Sequence, residues 1–236
     1  MGIKDQLERA VRDALTERFE IREDSVVPDP SRLAFRGGAV RLPAATVLYA
    51  DLSDSTGLSM RFDASVAARV GKAFLETCSR IIRDESGEIR SFDGDRVMAL
   101  FLGASAEASA VRCAFKISAC FSEVLKPRVE KAYPDLAREF KLGYACGVDR
   151  SEIFVVGAGL RTRHDLIWIG RAPNVAAKLS SRRELPFTSW ITSDVMERLP
   201  QELKTSTTIN RVWEPRSWSD GPVKEIHGSS CIYTKY

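Results

Sequence analysis

An antiparallel-rich α/β sandwich, with helices covering one face of a sheet, is the fold class the sequence predicts, and three observations carry that prediction. "ATVLYAD", residues 45–51, is a nearly continuous apolar run with β-branched and aromatic members, as a strand buried on both faces should be. Residues 63–84 and 106–131 repeat apolar side chains at three- and four-residue spacing, which is helical. Between them, "EIRSF" and "RVMALF" flank Asp93-Gly94, and Asp-Gly between alternating apolar residues marks a tight hairpin. The order strand, helix, hairpin, helix, strands then fits the sandwich.

Taken in order, residues 3–20 place Ile3, Leu7, Ala10, Val11, Ala14, Leu15 and Phe19 on one helical face against a charged one. This amphipathic helix packs either on the main domain or on a partner chain. Pro28, Pro30, Gly37, Gly38 and Pro43 punctuate a connector over 22–44, so we divide the chain into a helix-plus-connector segment, 1–44, and a main domain, 45–236. Val66, Val70, Phe74, Cys78, Ile81 and Ile82 form the stripe of the next helix, which Gly87 closes. Beyond the hairpin, Ala110, Cys113, Ala114, Ile117, Phe121 and Val124 form another. "KLGYACGVDR" and "EIFVVGAG" read as paired strands, and "DLIWIG" as a further one. "APNVAAKLSSRR" reads as a helix with Pro173 near its first turn. The tail holds short strand-like pieces, "SWITS" and "SCIYTKY".

Composition narrows the function. With 35 Lys and Arg against 32 Asp and Glu, the net charge of +3 argues for neither a nucleic-acid nor a membrane partner. The basic runs "RTRH" and "SSRRE" are brief, lack interleaved aromatics and read as a solvated face. The N-terminus lacks the apolar centre of a signal peptide and no apolar run approaches bilayer length, so the expected location is the cytoplasm. Five cysteines form no CxxC pair, which disfavours zinc.

The chemistry concentrates in two acids. Asp51 ends an apolar strand and Asp95 begins another straight after a turn, where a buried carboxylate needs a partner, a hydrogen bond or a metal. If the strands are neighbours, both carboxylates emerge at one sheet edge, and hard oxygen ligands there suit Mg²⁺ or Mn²⁺. The alternative is that Asp51 caps the helix starting near Ser55 and Asp95 is a solvated turn residue. Between the acids, "LSDSTG" supplies backbone N–H groups and the hydroxyls of Ser53, Ser55 and Thr56, a seat for phosphate.

Together "VLYADLSDSTGLS", "SFDGDRVMALFLG", "LGYACGVDRSEIFVVGAG" and "DLIWIGRAPNVAAKLSS" resemble the class III nucleotidyl cyclases, in that family's order, over about residues 45–182. The resemblance implies a ferredoxin-like βαββαβ core with a mostly antiparallel sheet. It implies two divalent ions, Mn²⁺ or Mg²⁺, held by Asp51, Asp95 and the backbone carbonyl of Leu52, with Ser53, Asp54, Ser55 and Thr56 along the substrate. Asn174 falls on the asparagine that holds the ribose. Lys178 falls where the family usually has a transition-state arginine, and brings a point charge without the bidentate fork. In the family these last two come from the other subunit, so a homodimer with shared sites is implied. Lys224, in "PVKEIHG", falls near a phosphate-binding lysine of the family, with loose spacing.

The two positions that read a purine base in this family are Ser91 and Ile167 here, and neither supplies the usual hydrogen bonds. Tyr49, Phe92 and Trp168 would narrow the pocket toward a single-ring base. That departure resembles the pyrimidine cyclases of bacterial anti-phage defence, whose cyclic UMP or cyclic CMP activates a separate effector. UTP is favoured over CTP because no acidic acceptor for the cytosine amino group stands out, and Arg36 and Arg90 are candidates for reading uracil carbonyls. Adenylate or guanylate cyclase activity, or a degenerate nucleotide-binding dimer, are the alternatives. The diguanylate cyclase pattern is missing: "FDGDRV" lacks the second glycine and the acid-Phe that follows it.

Overall fold

The computed structural model describes residues 2–29, 31, 33–34, 36–160, 163–205, 212–219 and 221–232, the side chains of 163 and 164 excepted. Pro30, most of "RTRH" and the end of "SCIYTKY" lie outside the described residues. The chain opens with α1 (Ile3–Thr16) and β1 (Glu20–Glu23), then β2 (Gly38–Leu52), α2 (Ser55–Arg61) and α3 (Ala64–Asp84). The hairpin is β3 (Glu88–Asp93) and β4 (Arg96–Phe101), with Gly94 at φ 60 taking the turn position that costs a side chain most. α4 (Ala106–Cys120) passes through a π-helical turn, Phe121–Leu125, into α5 (Lys126–Ala132), and α6 (Pro134–Glu139) follows. β5 (Tyr144–Leu160), β6 (Arg163–Gly170) and α7 (Arg171–Ser180) come next. β7 (Ser189–Thr192), α8 (Ser193–Arg198), α9 (Gln201–Lys204), β8 (Glu214–Ser217) and β9 (Glu225–Ser229) complete the described chain.

The strands form one sheet in the order β3-β4-β2-β5-β7-β9-β8, with β1 added to β2 and β6 to β5. Its pairings are antiparallel except β1 with β2 and β5 with β7. This is the mixed, largely antiparallel fold expected. Alternation along the strands builds apolar clusters on both faces, three in all among the described residues, of which two flank the central strands. Leu48, Ala50, Val97, Ala99 and Val148 join Phe74 and Cys78 of α3 and Val111, Ala114 and Phe115 of α4. Val40, Leu42, Val47, Met98, Leu100, Ile153 and Val155 join Ala172 and Ala176 of α7. α3 and α4 therefore cover one face as expected, and α7 lies across the other.

Four expectations are corrected. Residues 38–44 are strand, not connector: β2 continues through Pro43 because the register shifts between Leu42 and Ala45, and that bulge absorbs the missing N–H. "KLGYACGVDR" and "EIFVVGAG" are not a pair; residues 144–160 form one strand, paired with β2 on one side and with β6 and β7 on the other. Among the described residues the last strand is Glu225–Ser229, and Ser230, Cys231 and Ile232, the described part of "SCIYTKY", are not strand. α1 does not pack on the main domain: none of its residues is buried, and Ile3, Leu7, Val11 and Leu15 are 71%, 59%, 58% and 81% exposed.

The seat of α7 is the feature that matters for function. Asp149 is wholly buried on the α7 face, and Arg171, the first residue of α7, grips it with Nε and Nη2 at 3.0 and 3.1 Å. Thr192 Oγ1 donates to the same carboxylate at 2.6 Å, and Arg171 also reaches the Arg150 carbonyl and Asp194. Gly147 permits the helix to lie flat, since a Cβ there would stand 2.2 Å from the Ala176 carbonyl oxygen. Arg171→Ala would leave a buried carboxylate with one weak partner, and should cost about 3 kcal/mol in urea unfolding. Lys72→Ala, which removes an exposed i,i+4 pair, should cost at most about 0.5 kcal/mol in the same measurement.

Candidate active site

Antiparallel pairing sets Asp51 opposite Arg96, the residue after Asp95, so both acids stand at the same end of the sheet. Strand alternation turns Asp51 to the α7 side with Val47 and Tyr49. There its Oδ2 accepts from Arg96 Nη2 at 3.2 Å and from Arg183 Nη2 at 3.0 Å. Arg96 also donates to Ser181 Oγ at 3.1 Å, tying this end of the sheet to the end of α7. Asp51 is therefore an ion-paired strand residue and not a helix cap; Asp54 caps α2. Asp95 borders the groove of about 960 Å³ between α2, α3 and the hairpin, and its Oδ2 is buried without a hydrogen-bond partner.

The loop between β2 and α2 is more committed than the sequence suggested. Ser53 N–H donates to the Gly143 carbonyl at 2.8 Å and Gly57 N–H to the Asp54 carboxylate at 3.1 Å, so two of its backbone donors are taken up. Asp54 holds a left-handed φ of 55, which its side-chain cap stabilises. Ser55 lines the groove beside Asp95, as does Thr56, and Leu52 forms its wall.

On α7, Asn174 and Lys178 lie one turn apart on the exposed face. Asn174 Nδ2 donates to the Gly170 carbonyl at 3.0 Å. Asn174 precedes Ser181 by seven residues, roughly 10 Å along a helix axis, so it stands away from the point where α7 meets Arg96. Lys178 borders a small cleft with Arg96, Ser181 and Trp218. Tyr49, Met98 and Ser91 form a row across β2, β4 and β3 on the face of Asp51. Burial pushes the Tyr49 hydroxyl upward, with Arg96 opposing and Asp93 adding to the shift, so it is a neutral phenol able to donate and accept. Ile167 is outside that row: it sits on β6, 43% exposed, while Leu166 and Trp168 turn to the α7 core. Lys224 is exposed between β8 and β9. Arg90 is engaged with the Pro28 carbonyl and Glu88, and Arg36 is exposed.

A divalent cation fits this donor set in part. The unpartnered Asp95 oxygen is a hard ligand in search of a cation, whereas Asp51 must exchange a guanidinium for one. No cluster of three or more His, Cys, Asp or Glu able to hold a metal exists among the described residues, so the remaining ligands would be backbone and phosphate oxygens. Arg96 and Arg183 are the residues that sequence reasoning missed. Arg96 was legible as the strand neighbour of Asp51 once the hairpin was registered, but Arg183 stood in a run read as solvated.

No family model matches the sequence. Curated relatives do. The chain is 38% identical over 221 residues to a uridylate cyclase of Burkholderia cepacia, covering 93% of this chain and 94% of that one. It is 39% identical over 221 residues to a uridylate cyclase of Xanthomonas perforans, covering 93% of each. The chain belongs to the uridylate cyclases. Solved structures agree on the fold of this family member. The adenylyl cyclase CyaB from P. aeruginosa superposes with a TM-score of 0.64 at 22% identity, over 81% of this chain and 95% of that one. The guanylyl cyclase Cya2 superposes with a TM-score of 0.66 at 19% identity, over 83% and 95%. Among the described residues, no helix is long and apolar enough to cross a membrane.

Because Arg96 and Arg183 are 29% and 36% exposed, both turn to water when Asp51 is removed. Asp51→Ala should therefore stay folded and lose about 1 kcal/mol, a drop of about 2–4 °C in Tm by calorimetry. Loss of the cooperative transition would mean that the pair is structural.

Proposed function

We propose that two copies of this chain together convert UTP to 3′,5′-cyclic UMP and diphosphate. The observation that supports this most is the charge at the sheet end. Asp51, paired with Arg96 and Arg183, and Asp95, beside Ser55 and Thr56 on the groove, stand at the same end of the sheet, and a cation-bound triphosphate requires charges of these kinds. In the reaction the 3′-oxygen attacks the α-phosphorus and gives up its proton. The bond from phosphorus to the bridging oxygen breaks, and diphosphate leaves with the electron pair.

Within that reaction Ser53, Ser55 and Thr56 line the phosphates, and Asp54 serves through the turn it caps. Arg183 and Lys224 offset phosphate charge. Asn174 holds the ribose, and Lys178 meets the negative charge that grows on the α-phosphoryl oxygens, as a compact point charge. Asp51, Asp95 and the Leu52 carbonyl would hold two Mn²⁺ or Mg²⁺ ions, whose chemistry is to neutralise the triphosphate and polarise its oxygens. Neither Asn174 nor Lys178 has a hydrogen bond to the acids among the described residues, which supports a site completed by the second subunit.

The row of Tyr49, Met98 and Ser91 bears on base choice: an aromatic and a thioether beside a short hydroxyl, it offers none of the charged groups that the purine-reading positions of the family carry. Ile167 contributes apolar surface at the position of a purine reader. UTP is preferred to CTP because the curated relatives are uridylate cyclases. Cytoplasmic production of cyclic UMP as an antiviral messenger, sensed by a separate effector, rests on the resemblance to the anti-phage cyclases.

Incubation with each of ATP, GTP, CTP and UTP and Mn²⁺, with products identified by mass, should give cyclic UMP as the main product. A preference for cyclic AMP would refute the pyrimidine reading. Asp51→Ala and Asp95→Ala should each lower product formation at least about a hundredfold in folded protein. Co-purified heterodimers of Asp51→Ala with Asn174→Ala should recover part of the activity through one intact shared site; verified heterodimers without activity would exclude that sharing.

A further inference from the structure

Behind the phosphate loop lies a second cavity, of about 460 Å³, within the range of small-molecule sites. Ser53 and Gly143 form the wall it shares with the loop, joined there by the Ser53 N–H to Gly143 carbonyl hydrogen bond. Its apolar surface comes from Phe121, Leu142 and Phe187. Among the described residues four cations line it, Lys126, Lys141, Arg182 and Arg183, and no aspartate or glutamate does. On one wall, Tyr144 O–H donates to Ser118 Oγ at 2.6 Å and Ser118 meets Thr188 Oγ1 at 3.1 Å. Burial pushes the Tyr144 hydroxyl far upward, so this wall is a neutral polar surface.

Two of the cations have unmet capacity. Lys141 is exposed and makes no ion pair among the described residues. Arg182 uses a terminal nitrogen on Glu184 and lies 4.8 Å from the Trp190 ring centroid, but its Nε is buried without a hydrogen-bond partner. Cationic, partly apolar walls without a lining acid recognise a small organic anion, in which a phosphate or carboxylate is attached to a ring or short alkyl body.

We infer that this cavity is an effector site for such an organic anion, coupled to the catalytic acids through Arg183. The coupling is geometric: Arg183 borders the cavity, yet its Nη2 donates to Asp51 at 3.0 Å and its Nη1 to the Ser180 carbonyl at 2.6 Å. An anion in the cavity competes with Asp51 for one guanidinium and leaves that carboxylate freer to bind a cation. By reciprocity, loss of the Asp51 carboxylate strengthens anion binding.

The test uses metal-free, nucleotide-free protein, so its outcome is independent of the UTP reading. Calorimetric titration with phenyl phosphate should show saturable binding, at least tenfold tighter than benzyl alcohol or inorganic phosphate. Lys141→Glu, an exposed change that leaves the fold intact by circular dichroism, should weaken it at least tenfold. Asp51→Ala should tighten it about three- to tenfold, the low end of site coupling because Arg183 is 36% exposed. Asp51→Ala combined with Lys141→Glu should lose that gain. No binding at millimolar phenyl phosphate, equal binding of inorganic phosphate, or indifference to Lys141→Glu would each overturn the site. Unchanged affinity in Asp51→Ala would overturn the coupling.

Discussion

A carboxylate with no exposed surface sits in the middle of the sheet, and Asp149 can remain there only because Arg171 grips it with two nitrogens and Thr192 adds a third donor. That ion pair fixes where α7 begins. Gly147 then lets the helix lie against β5 without a gap, and the helix runs to the end of the sheet where Ser181 meets Arg96. Asn174, Lys178, Ser181 and Arg183 inherit their positions from this seat. The helix is thus oriented by electrostatics at its start and by close backbone approach along its length.

At the other end of that path the charges are arranged differently. The guanidiniums that hold the two acids are all about a third exposed, and the difference lies in the carboxylates: Asp149 has no exposed surface, whereas Asp51 keeps 9%. An ion pair with access to water is weakly held, and a cation or a phosphate competes for it readily. Arg183 borders the basic cavity as well as holding Asp51, so it stands between the two.

Much of the fold was legible. Apolar period marked α3, α4 and the central strands, and Asp93-Gly94 marked the hairpin with its Gly94 turn. The failures have local causes. Pro43 and the paired glycines before it read as connector because a proline normally ends a ladder, whereas a bulge carried β2 through it. "KLGYACGVDR" and "EIFVVGAG" read as two paired strands and not as one, since nothing local reveals that Arg171, 22 residues later, neutralises Asp149 and lets the strand run on. The amphipathic character of α1 was plain, but of its apolar stripe Phe19 alone reaches an aromatic ring of the sheet among the described residues, that of Phe154, while Ile3, Leu7, Val11 and Leu15 stay exposed.

What the sequence by itself determined is whatever depends on a few neighbouring residues: the periods, the turn, the acids at two strand ends, the hydroxyl loop, and the ordered blocks that resemble the nucleotidyl cyclases. Only the tertiary structure decided which charges meet. Asp51 and Arg183 are 132 residues apart, and their contact exists because β2, β5 and α7 pack in one particular way. Local patterning reflects interactions that decay within a turn or a strand pair, while ion pairs and cavities are properties of packed surfaces, so they appear only when the chain is closed on itself.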